Sequence, residues 1–414
     1  MIRDLALRYG DDPALRASLT AHQRHALDAI ASCGTEAAGL HREICDACGE
    51  QRLVPNTCGH RSCPHCQGRS RLEWVAARQS ELLPCDYFHA VFTLPAQLRP
   101  LAIAYPAVVY DVLLRASSDA VSYLCRQPRL LGGEVGQLAV LHTWRRDLGL
   151  HPHVHLVVTA GGWDATRERW IPARRYGRRR SEFLLPVPVL RQAFRFRLRR
   201  LLLDAQRRGA FTDPPPSVNA VLASSRALRR HLDALMQRRW VIRIEPPFCG
   251  PQRVLTYLGA YVNRVACGPG AIVHHDADAG VVTYRWRTND DPSHERRATV
   301  SAVDFLRRFL QHVPPPGFHR IRFRGLWATA HRATKLRIVQ QHLADGPPPQ
   351  AAPIPEPEPT PCPICGRGHF RRDPGPCPRP RPAERQRYLV LIRFSAKATQ
   401  PEHATAPLET QRCP

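Results

Sequence analysis

The apolar positions of the chain change period along its length. From Leu15 to Ile30 they recur at helical spacing and predict one amphipathic helix, which leads into a segment dense in Cys and His. From Asp86 onward the pattern becomes runs of branched and aromatic residues. Tyr87 to Leu94, Leu138 to Trp144 and His153 to Thr159 predict strands, with a helical stretch from Leu98 to Leu124 between the first two. Val189 to Gln206 and Val218 to Arg238 show helical spacing with Arg on the polar positions, and a strand is predicted at Trp240 to Ile244. Gln252 to Val265 reads as a helix, Ala271 to His274 and Val281 to Arg287 as strands, and Val303 to His312 as a helix. From Pro347 to Pro361 Pro alternates with Ala and Glu, which favours an extended linker over a packed core. No internal repeat is visible. The pattern divides the chain into a small Cys-rich module over 1–85, a mixed α+β domain over 86–345 and a linker with tail over 346–414.

Charge narrows the partners. The 60 Lys+Arg against 35 Asp+Glu give a net charge of +25, an excess that attracts a polyanion, and nucleic acid leads. Lys occurs only at Lys335 and Lys397, so the charge is carried by Arg, whose planar fork grips phosphates and stacks on bases. No apolar run approaches the roughly 20 residues of a membrane span, and Met1-Ile2-Arg3-Asp4 lacks the apolar core of a secretory signal. The expected location is the cytoplasm, with no membrane partner. In that reducing compartment closely spaced Cys among the 14 present are metal ligands more often than disulfides.

Cys45-x2-Cys48 and Cys63-x2-Cys66 are two thiolate pairs whose spacing suits a tetrahedral, structural Zn2+ with no open position for substrate. Cys33, Cys58, His60 and His65 lie nearby and leave a different ligand choice or a second ion open. The module would present Arg52, Arg61, Arg69 and Arg71 to DNA. A further pair, Cys362-x2-Cys365, with His369 and Cys377 downstream, is a candidate second zinc site in the tail.

His153-Val154-His155 lies in an apolar run. Side chains alternate along a strand, so both imidazoles point to one face as two ligands for one ion. His142 is the favoured third ligand if its strand pairs with that of His153, with His151 and Asp147 as alternatives. Tyr257 and Tyr261, four apart in a predicted helix, share one face, and Arg264 lies one turn beyond. A phenol can attack a metal-polarised phosphodiester and keep the bond energy in a phosphotyrosine. The Arg-rich stretch around Arg175 and Arg178 is a candidate DNA contact.

Taken together these residues resemble the HUH transposases of the insertion-sequence-91 type, two-tyrosine enzymes with an N-terminal transposase zinc-binding domain. The resemblance runs from His22 to Leu343. It is carried by Ser62-Cys63-Pro64-His65-Cys66-Gln67, His89-Ala90-Val91-Phe92-Thr93-Leu94-Pro95, His142-Thr143-Trp144, His151-Pro152-His153-Val154-His155 and Tyr257-Leu258-Gly259-Ala260-Tyr261, with Phe305 to His312 and Gly317 to Arg322 following in order. It implies a ferredoxin-like HUH core with an antiparallel sheet, a catalytic Mg2+ or Mn2+ on His153 and His155, Tyr257 and Tyr261 as nucleophiles, and a 5′-phosphotyrosine product with a free 3′-hydroxyl. It also implies rolling-circle transposition from single-stranded or hairpin element ends. Two features depart from the family pattern: Val262-Asn263-Arg264 stands where Thr-His-Arg is usual, and Val241 to Pro247 lacks a Lys before its prolines. No ATP-binding loop is present, so strand unwinding falls to a host helicase or to replication. The competing readings are a plasmid replication initiator or relaxase, using the same chemistry, and a non-enzymatic zinc-dependent DNA-binding protein.

Overall fold

The computed structural model describes residues 1–173, 184–248, 266–287, 291, 293–344 and 359–375. The chain divides into two compact units, one formed by Met1–Gly68 with Pro353–Arg412 and the other by Arg69–Ala352. The first therefore contains part of the tail that the composition sets apart as a linker.

In the first unit, α1 (Ile2–Tyr9) and α3 (Ala21–Ser32) pack through Ile2, Leu5, Ala6, Ala26, Leu27 and Ile30, all buried. The single helix predicted from Leu15 is two. α2 (Pro13–Ser18) opens on Asp12, whose carboxylate accepts from the Leu15 N–H. The α3 helix opens afresh at Thr20, whose N–H donates to Gln23 Oε1 at 2.9 Å. Apolar spacing runs through such a break without registering it. A three-stranded antiparallel sheet follows, with β1 (Leu40–Cys45) between β2 (Gln51–Pro55) and β13 (Phe370–Arg372). α4 (Gln67–Gln79) carries the chain out of the unit.

The second unit is built on five strands in the order β12-β4-β5-β3-β8, every neighbouring pair antiparallel. These are β3 (Tyr87–Thr93), β4 (Gly136–Trp144), β5 (Leu150–Thr159), β8 (Ile242–Phe248) and β12 (Ile321–Gly325). Between β3 and β4 run α5 (Arg99–Ala104) and α6 (Pro106–Cys125), broken at Tyr105 because Pro106 has no N–H and forces its predecessor out of helical geometry. A hairpin of β6 (Gly161–Asp164) and β7 (Arg169–Pro172) follows β5. Then come α7 (Val187–Arg207), α8 (Pro216–Leu222) and α9 (Ser225–Met236). The last two are separated because the Ser224 hydroxyl caps α9, accepting from the Ala227 N–H at 3.1 Å. A second antiparallel sheet of β9 (Ile272–Asp276), β10 (Val281–Arg287) and β11 (Glu295–Ser301) leads into α10 (Ala302–Leu310), and α11 (Arg337–Leu343) follows β12.

The period of two along the main strands sorts their side chains. Phe88, Ala90, Phe92, Ala139, Leu141, Val154, Leu156 and Val158 face one way and form the principal core with α6, α7 and α9. The other parity carries Tyr87, Leu138, Val140 and Val157, packed against Leu326, Trp327, Leu336 and Val339. His89, His142, His153 and His155 share this second parity. The apolar packing of one face thus fixes the register that gathers histidines on the other.

Candidate metal centres and active site

In the β4–β5 register His142 lies directly opposite His153, and Val140 opposite His155. One ligand atom from each of His142, His153 and His155 falls within 4.8 Å of the others. His142 is buried, and His153 and His155 are half-buried. The two sequence alternatives stand outside this group. Asp147 accepts from Arg145 at 2.8 Å and from the Gly149 N–H at 3.0 Å. The His151 ring lies near the Arg99 guanidinium at 3.4 Å.

Neighbouring groups fix which ring nitrogens are available. His153 Nδ1 lies 2.7 Å from the His151 carbonyl, which only accepts, so Nδ1 carries the proton and Nε2 is free to ligate. His155 Nδ1 lies 2.9 Å from His89 Nε2, with the rings nearly parallel. Burial, with the His153 charge adding to it, holds the His89 pKa down at about 3, so this imidazole is neutral and can accept from His155 Nδ1–H. In that tautomer His155 also presents Nε2. Sequence reading placed His89 in one of the motifs that carry the resemblance but gave it no role. Its only signal was a His at an interior position of an apolar strand, with the parity that faces His155.

The Trp144 ring stacks on His142 at 4.5 Å, and Thr143, of opposite parity, meets His312 at 3.1 Å. His312 Nε2 in turn lies 3.1 Å from the Leu148 carbonyl, tying α10 to the turn between β4 and β5. Tyr257, Tyr261, Arg264, Arg175 and Arg178, together with the helix expected from Gln252 to Val265, lie outside the described residues.

The four cysteines expected around one ion are divided between two clusters. Cys63 and Cys66 join Cys33 and Cys58, with Cys66 Sγ 3.6 Å from both Cys33 Sγ and Cys58 Sγ. Cys45 and Cys48 join Cys362 and Cys365. The reason is that β1 and β2 carry the first pair to the strand added by the tail, whereas the end of α3 delivers Cys33 beside the Cys63–Cys66 turn. Each group offers four thiols at tetrahedral spacing, which fits structural zinc.

Comparison with known proteins adds a second line to this geometry. Residues 5–94 match the family described as "Transposase zinc-binding domain", and residues 136–335 match one described as "Putative transposase". The chain is 39% identical over 343 residues to "Putative transposase y4qJ" of Sinorhizobium fredii, covering 81% of this chain and 82% of that protein. It is 30% identical over 300 residues to the transposase for insertion sequence element IS801 of Pseudomonas savastanoi pv. phaseolicola, covering 72% of this chain and 68% of the relative. No solved structure matches. A transposase is thus defined, with a zinc-binding domain at its N-terminal end. The chain belongs to the insertion-sequence-91 family of transposases. Among the described residues no helix is long and apolar enough to cross a membrane.

Proposed function

We propose that this transposase nicks single-stranded DNA at the ends of its element through a phosphotyrosine intermediate and transfers the strand in rolling-circle transposition. The observation that carries the reading is the convergence of His142, His153 and His155 on one point of the sheet face. The strand order β8-β3-β5-β4, with α5 and α6 before β4 and α7 to α9 before β8, is that of a βαββαβ ferredoxin-like core and supports an HUH fold.

The donor set is three imidazoles with no carboxylate. That chemistry fits Mn2+ better than Mg2+, which prefers oxygen. A divalent ion held there would act as a Lewis acid on a phosphate oxygen. The chain's own residues do the rest. The phenol oxygen of Tyr257 or Tyr261 forms a bond to phosphorus while the bond to the 3′ oxygen breaks; the phenol loses its proton and the 3′ oxygen takes one up. The freed 3′-hydroxyl can reverse the step at another junction, or prime replication with a host helicase opening the duplex. Two tyrosines allow two strand ends to be held in succession.

Strand binding falls to Arg-rich surfaces, to which Arg175, Arg178 and Arg264 are assigned. A groove along α7 and α9 also suits a single strand, since Arg191, Arg195 and Arg199 flank Phe196, which is 54% exposed. Guanidinium groups beside an exposed aromatic ring hold phosphates and stack on unpaired bases.

The test is nicking of labelled single-stranded element ends with Mn2+ or Mg2+ in His142→Ala, His153→Ala and His155→Ala. Each variant is expected to lose roughly 100-fold or more in rate while still binding DNA. Nicking at the wild-type rate in all three would refute the assignment.

A further inference from the structure

We propose that Cys45, Cys48, Cys362 and Cys365 form one tetrahedral zinc site that joins the two ends of the chain into a single discontinuous module. The pairs are 314 residues apart in sequence between Cys48 and Cys362, yet their sulfurs interleave: Cys45 Sγ lies 3.8 Å from Cys365 Sγ, and Cys48 Sγ 3.8 Å from Cys362 Sγ. A disulfide requires about 2.05 Å. Four thiolates about 2.3 Å from a tetrahedral zinc stand about 3.8 Å from one another, which is the spacing present.

The two pairs are the same device used twice. The sequences are Cys45-Asp46-Ala47-Cys48-Gly49 and Cys362-Pro363-Ile364-Cys365-Gly366. In each, the closing glycine donates its N–H to the carbonyl of the first cysteine, at 3.1 Å from Gly49 and 3.0 Å from Gly366. Both glycines have positive φ, +74° and +64°, a conformation that costs a side chain energy and costs glycine none. Each turn also points a backbone N–H at a sulfur, Ala47 at Cys45 Sγ (3.5 Å) and Gly368 at Cys365 Sγ (3.4 Å), which spreads thiolate charge. Such paired turns are the usual means of presenting four thiolates to one ion.

The tail is held to the same place by contacts that involve no sulfur. The short β13 pairs with β1, with Cys45 opposite Phe370. The Asp46 carboxylate accepts from the His369 N–H at 2.8 Å and from Arg371 Nε at 3.0 Å, and Arg42 Nε donates to Asp373 at 2.6 Å. The first cluster is already complete with Cys33, Cys58, Cys63 and Cys66, so the pair from the tail is not needed there. One consequence concerns folding. The module cannot close its second zinc site until the tail has been made, and a copy truncated before Thr360 lacks two of the four ligands.

The experiment uses the full chain and measures bound zinc by plasma mass spectrometry. Relative to wild type, Cys362→Ser/Cys365→Ser is expected to lose one equivalent. Cys45→Ser/Cys48→Ser is expected to lose one as well, and the fourfold variant no more than one. Wild-type zinc content in the tail variant, or a loss of two equivalents in the fourfold variant, would overturn the proposal. Because a variant that unfolds would shed zinc indiscriminately, the wild type is also footprinted with N-ethylmaleimide. All four cysteines are expected to be protected in the zinc-loaded protein and to become reactive together on chelation. Alkylation of Cys362 and Cys365 at full zinc occupancy would equally overturn it.

Discussion

His89 shows how much a single side chain can decide without touching a substrate. Its Nε2 lies 2.9 Å from His155 Nδ1, and by accepting from that nitrogen it would hold the His155 proton on Nδ1 and leave Nε2 as the donor atom of the proposed metal site. Removing it in His89→Ala should weaken Mn2+ binding about 10–100-fold, read from free Mn2+ by electron paramagnetic resonance. In His89→Gln, whose amide oxygen can also accept, part of the affinity should return. Unchanged Mn2+ affinity in His89→Ala would show that His155 needs no such partner. A second histidine reports through pH. Burial holds the His312 pKa down at about 4, against the ordinary value of 6.5. Its folded pKa lies below the unfolded one, so the contribution to stability is full above about 6.5 and lost as pH falls towards 4. Between pH 7 and 4.5 this amounts to about 2–3 kcal/mol. Denaturant melts should show a flatter acid limb for His312→Gln over that window; an identical limb would mean that His312 titrates normally. The HxH pair and the three CxxC pairs were legible in the sequence because spacing alone makes them conspicuous. Cys33 and Cys58 were legible only as an open alternative ligand choice, and His89 was given no role, since what unites them with their neighbours is register and packing.

At the scale of elements, the strands with branched and aromatic runs were the most legible, and β3, β4 and β5 fall where the pattern puts them. Helices were found but not divided, because Thr20, Pro106 and Ser224 break them at caps while apolar spacing continues across. The Arg-rich β11 and β12 carry too few apolar residues to stand out. The central strand β5 has two roles at once, with Val154, Leu156 and Val158 in the principal core and His153 and His155 on the other face. Leu156 is fully buried, so Leu156→Ala should cost about 2–5 kcal/mol in denaturant unfolding. The same variant should reduce Mn2+ affinity, because a loosened β5 no longer holds its two imidazoles in register. A loss of stability with undiminished Mn2+ affinity would separate the two roles.

For the whole molecule, the net charge of +25 is spread over Arg on several elements and is expected to set the strength of DNA binding. If some 6–10 phosphates are neutralised, affinity for a single-stranded end should fall by roughly 300-fold to about 10⁴-fold as salt rises from roughly 50 to 200 mM. A shallow salt slope would point instead to base contacts as the main source of affinity. Composition disclosed this polyanion preference directly. It could not disclose that the tail returns to the N-terminal unit, because a Pro-rich stretch looks the same whether or not a folded segment follows it. Tyr257 and Tyr261 are the proposed nucleophiles. The most direct measurement is therefore the covalent adduct itself, resolved on a denaturing gel after the full-length protein meets a labelled single-stranded end of its own element with Mn2+. A metal-dependent adduct is expected in the wild type, persisting in at least one of Tyr257→Phe and Tyr261→Phe and vanishing in the double variant. An adduct that survives in the double variant, or nicking with no adduct at all, would contradict that assignment.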